Sequence, residues 1–102
     1  MHLQELLSRI HKTWSCHKEN YPNIDVADGI SERRHVVLHA MKAVGVLAGQ
    51  HEGHDHGHQD TDAYREATAK LVIDALKLAA LQGMREEDLV EEVVRILDAV
   101  NS

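Results

Sequence analysis

The stretch DAYREATAKLVIDALKLAALQG, from Asp62 to Gly83, decides how the rest of the chain is read. Tyr64, Ala67, Leu71, Ala75, Leu78, Ala79 and Gln82 recur at helical spacing. Val72, Ile73, Leu76, Ala80 and Leu81 carry the apolar surface almost all the way round. Only a narrow polar stripe remains: Glu66, Lys70, Asp74 and Lys77. A helix so apolar sits among neighbours, so the stretch predicts a central helix over 62–82. Asp60 or Thr61 can cap its start, and Gly83 supplies its stop.

Three more helices flank it. The first is expected over 3–17, where Leu3, Leu6, Leu7, Ile10 and Trp14 share one stripe and Asn20, Tyr21 and Pro22 end it. A linker over 23–30 offers Ile24, Val26 and Ile30 as apolar plugs. The second helix is expected over 32–48, with Ser31 as N-cap and Val36, Val37, Ala40, Met41, Val44, Leu47 and Ala48 as a broad apolar face. His35, His39 and Lys42 fall on its remaining side. The fourth is expected over 86–100. Leu89, Val90, Val93, Val94, Ile96, Leu97 and Val100 lie on one side, and Glu91, Glu92, Arg95 and Asp98 on the other. Acidic Glu86, Glu87 and Asp88 suit its positive N-terminus. Between helices two and three, Gly49, Gly53 and Gly57 mark a histidine-rich loop over 49–60.

The expected architecture is a single all-α domain over 1–102, a four-helix bundle. Helices two and three form its centre, and the outer two cover them. The central pair carries more apolar surface than one protomer covers, so a homodimer or higher homo-oligomer is expected. With 102 residues and a formal net charge of −6, the chain is no candidate for gripping a nucleic-acid backbone. Its one cysteine, Cys16, cannot close an internal disulfide. Cys16 and His17 are helical neighbours that do not face each other, so no cysteine nucleophile is read there. No run approaches the ~18 apolar residues of a membrane span, and the first residues lack the basic and apolar regions of a signal peptide. A cytoplasmic location without a membrane partner is expected.

The order of helix two, polar loop, helix three, glycine and helix four resembles the MazG-like family of all-α nucleotide pyrophosphohydrolases. The likeness is best from Glu66 to Leu97, where EATAKLVIDALKLA runs into Leu81-Gln82-Gly83-Met84. His35 to Ala48 is similar in position and length to the family's acidic helix. The match spans about two thirds of the chain and is one of pattern more than motif. In that family an E-E-x-x-E arrangement and an E-x-x-D pair hold Mg²⁺ against the phosphates, as a hard cation requires. Here the helix-two glutamates fall on His35, Val36 and His39, and Lys42 stands where a further acid is common. The E-x-x-D pair falls on Ala67 and Lys70, and a one-residue slip leaves Glu66 with Ala69. No complete carboxylate pair survives. The resemblance therefore implies the fold, a dimer and a nucleotide-like pocket, while a pyrophosphohydrolase activity would be altered or lost. Mg²⁺ is implied only if that activity is retained.

Two groups of residues carry candidate chemistry. His35, His39, Lys42, Glu66 and Asp74 form a candidate pocket across the seam of helices two and three. Histidines four apart share a helical face and suit Zn²⁺ or Ni²⁺. With Lys42 beside them they equally suit a phosphate or nucleotide. The plain alternative is a half-exposed polar side, with Asp62, Glu66, Lys70 and Asp74 making surface ion pairs. The second group is His51, His54, His56 and His58, whose imidazoles could hold Zn²⁺ or Ni²⁺ or simply be solvated. Three function classes follow: a divergent MazG-like binder of a nucleotide or phosphate compound, a small Zn²⁺ or Ni²⁺ protein, and a helical oligomer with no ligand.

Overall fold

A computed structural model of the chain describes residues 1–13, 30–58 and 60–101. They form four α-helices, α1 (Leu3–Thr13), α2 (Ile30–Asp55), α3 (Thr61–Leu81) and α4 (Glu86–Asn101), with no strand among the described residues. The expected end of the first helix with Trp14, the Cys16–His17 pair, the linker up to Gly29 and Gln59 lie outside those residues. No described helix is long and apolar enough to cross a membrane.

The all-α reading holds, and α3 is the central helix. Leu76 of α3 is buried with Leu7 and Ile10 of α1, and Leu3, Leu6, Ile73 and Leu89 close around them. On its other side α3 pairs with α2. Val36 and Ala43 of α2 and Ala67 and Ala79 of α3 are buried. The connection from α2 to α3 is short, which makes them antiparallel neighbours.

Helix two departs from expectation. It does not stop at Ala48 but runs through Gly49 and Gly53 to Asp55, so most of the expected 49–60 loop is helix. The reason lies in where a left-handed residue is placed. Gly57 has φ +83°, and its N–H donates to the His54 carbonyl while that of His58 donates to the Gly53 carbonyl. This is a Schellman stop, and it requires glycine at only one of the three positions. Gly53 serves differently, because a Cβ there would lie 3.0 Å from the His58 carbonyl oxygen. Gly83, at φ +74°, repeats the device after α3: its N–H donates to Ala80 and that of Met84 to Ala79. At the start of α3 the Asp60 carboxylate accepts from the Ala63 N–H at 3.1 Å, as a cap should. Ser31, expected as the cap of α2, lies inside its first turn because the helix begins at Ile30.

On α2, Val37, Leu38, Met41 and Val44 face outward and are exposed in the protomer. One packing expectation is corrected. Helix α4 does not cover the centre, for none of its residues is buried. It meets α1 and is secured at its N-terminal end. There the Glu86 N–H donates to the Gln4 side chain at 3.0 Å, and the Asp88 carboxylate accepts from the Arg85 N–H at 2.9 Å. Leu89 inserts at the core edge, while Val90, Val93, Val94, Leu97 and Val100 remain exposed.

Candidate functional site

Residues three or four apart share a helical face. On α2 this rule aligns His35, His39, Lys42 and Val46. On α3 it aligns Ala63, Glu66, Lys70, Asp74 and Lys77. The two rows line a groove of ≈ 410 Å³ along the α2–α3 seam, with Val36, Ala43, Ala67 and Ile73 as its apolar lining. A space of that size suits a small ligand. All five candidate pocket residues, His35, His39, Lys42, Glu66 and Asp74, lie in it together. Lys70 and Lys77, members of the polar stripe of α3, lie there too. Their signal was the polar stripe itself, which faces α2 across the seam.

The imidazoles of His35 and His39 are neighbours, with ring centroids 4.4 Å apart and planes inclined by 50°. Burial is the main cause that draws His35 below its ordinary 6.5, and the nearby charges of His39 and Lys77 push the same way. Burial also raises Asp74 above its ordinary 3.8, against the opposing pull of His39 and Lys77. Lys70 pairs with Glu66 at 3.0 Å, the i, i+4 contact expected of the stripe. The groove thus holds three ammonium groups, two imidazoles and two carboxylates, one of them already neutralised by Lys70.

This donor set does not fit Mg²⁺, which takes clustered oxygens. Glu66 and Asp74 lie two helical turns apart, about 12 Å along the axis at ~1.5 Å per residue. Lysine donates and cannot ligate while charged, and imidazole is a poor Mg²⁺ ligand. The positively charged wall instead suits an anion with several oxygens.

The histidine-rich segment is more ordered than its composition suggests. His51 Nε2 lies 3.1 Å from the Tyr64 hydroxyl, with the two rings edge to face at 5.4 Å. The Gln50 side chain accepts from the Asp60 N–H at 2.9 Å. Both contacts tie the end of α2 to the start of α3. His54 stands 3.9 Å from Asp55, and His56 and His58 are exposed in the turn. Among the described residues, no three His, Cys, Asp or Glu side chains converge on a metal-sized space.

No family model, no curated protein and no solved structure matches the chain.

Proposed function

We propose that the chain is a divergent MazG-like protein that binds a phosphate-bearing compound, such as a nucleotide, in the α2–α3 groove, with side-chain cations in place of Mg²⁺. The observation that supports this is the convergence of Lys42, Lys70, Lys77, His35 and His39 on one groove that offers no paired carboxylates. Each ammonium donates up to three hydrogen bonds, and such bonds to phosphate oxygens are charge-assisted. The alanine, valine and isoleucine positions in the lining supply apolar surface for the rest of a ligand.

The test is calorimetric titration with pyrophosphate and with a panel of nucleoside triphosphates, in EDTA and then in Mg²⁺. Binding in EDTA is expected, weakened at least about tenfold by Lys42→Ala plus Lys70→Ala, since one charged hydrogen bond contributes about 1.5–3 kcal/mol. Binding that requires Mg²⁺ would overturn the reading. So would Mg²⁺-dependent hydrolysis that survives His35→Ala plus His39→Ala.

A further inference from the structure

The α2–α3 groove is not uniform along its length. The two helices are antiparallel, and the Gln50–Asp60 and His51–Tyr64 ties mark the end where the chain turns from one to the other. Away from that turn the walls are charged. His35 and His39 of α2 lie there with Asp74 and Lys77 of α3, near enough for their charges to be felt across the seam. Val36 and Ile73 also line that end, and Lys42 and Lys70 stand near the middle. Nearest the turn the lining is Ala43 and Val46 of α2 with Ala63 and Ala67 of α3. Glu66, the charged residue of that stretch, has its carboxylate 3.0 Å from Lys70, one helical turn further from the chain reversal. From His39 to Val46 the groove advances about 10 Å along the axis. Gly49 follows one turn beyond Val46, and a Cβ there would meet nothing within 4 Å, so the apolar end is open.

The chemistry of that end says what it accepts. Among the described residues its lining has no aromatic ring, guanidinium, hydroxyl or amide side chain. Tyr64, one residue along from Ala63, is instead held edge to face against His51. The backbone N–H and C=O groups of the lining are bonded within their own helices. A nucleobase is held by stacking and by hydrogen bonds to its edge, and it finds neither here. Alanine methyls and a valine side chain offer what hydrocarbon needs, which is apolar surface alone.

We propose that the ligand of this groove is an aliphatic phosphate or diphosphate, its phosphate oxygens among Lys42, Lys70 and Lys77 and its hydrocarbon along Ala43, Val46, Ala63 and Ala67 toward Gly49. The proposal rests on the phosphate reading of the groove and narrows the body of the ligand from a nucleoside to a chain. The charge stays at one end and the apolar surface at the other, so the ligand has one direction of entry.

The experiment is calorimetry in EDTA with pyrophosphate, with methyl, butyl and geranyl diphosphates below their micelle concentrations, and with adenosine and uridine diphosphates. A fully buried methylene strengthens binding about fourfold, so in an open groove affinity should climb by about two- to fourfold per carbon until the chain passes Gly49. Geranyl diphosphate should bind at least about tenfold more tightly than either nucleotide on the same scale. Val46→Asn, at a side chain 43% exposed, should flatten the aliphatic series while circular dichroism shows the helices retained. The wild-type series stands as a test even if that variant does not fold. Pyrophosphate binding with a flat series, or a nucleoside diphosphate bound as tightly as geranyl diphosphate, overturns this inference and leaves the phosphate reading in place. Failure of every compound to bind overturns both. Co-sedimentation with phosphatidylcholine vesicles carrying phosphatidic acid separates two sources of such a ligand: capture reversed by geranyl diphosphate marks a membrane lipid, and tight geranyl diphosphate binding without capture marks a soluble compound.

Discussion

Helices α3 and α4 draw on nearly the same aliphatic residues and lie on either side of one glycine turn. Yet α3 buries Ala67, Leu76 and Ala79, whereas α4 buries nothing. Composition does not separate them. Position does: α3 lies between α1 and α2, and among the described residues α4 meets the body at its N-terminal end. A one-sided apolar helix therefore has two fates. It can complete its own protomer, or it can offer that side to another molecule.

The contrast is broken or upheld first by matched truncations. Leu76→Ala should lower the unfolding free energy by about 2–5 kcal/mol, the range for a buried leucine. Leu97→Ala, measured in urea at a concentration too low for association, should change it by no more than about 0.5 kcal/mol. Equal losses would mean that α4 belongs to the core after all.

The turn between the two helices comes next. Gly83→Ala forces a side chain into the left-handed region and should destabilise by about 1–2 kcal/mol. Gly45→Ala lies in α2 with nothing within 4 Å of the added Cβ, and should stabilise by about 0.5–1 kcal/mol. Thermal melts of the two variants should move in opposite directions.

The smallest effect concerns the polar side of the α2–α3 seam. His35 titrates below its ordinary 6.5 in the fold, so the fold favours its neutral form. Its contribution is complete above pH 6.5 and is lost as pH falls through the folded value. Stability curves should therefore fall on acidification through that window, and His35→Gln should flatten the slope. Charge removal on α4, as in Asp98→Asn, should leave the slope there unchanged.

Much of this was legible in the residues. The α3 bounds differ from expectation by only one residue at each end, because a capping residue at Asp60 or Thr61 marks its start and Gly83 its stop. The five candidate pocket residues share one groove because polar positions on mostly apolar helices have few directions to face. Helix α2 was harder. Three glycines look alike in sequence, and only Gly57 meets two backbone hydrogen bonds in a left-handed turn. Gln50 and His51 looked like loop residues for the same reason. Their partners, Asp60 and Tyr64, come within reach only once α2 is extended. The exposure of α4 was not legible at all, since periodicity marks an apolar side without saying what covers it.

The clasp between Gln4 and Glu86 joins positions 82 residues apart, while the Gln50–Asp60 and His51–Tyr64 ties span 10 and 13. Closing a loop costs about 0.6 kcal/mol more for each doubling of its length, so the long closure is disfavoured by about 2 kcal/mol relative to the short ones. The chain therefore assembles from its middle outward. On a ribosome the consequence is an inversion of order. Helix α1, made before α3 and α4, must wait for Leu76 to emerge before Leu7 and Ile10 can form the core described above, and for Glu86 before Gln4 finds its donor.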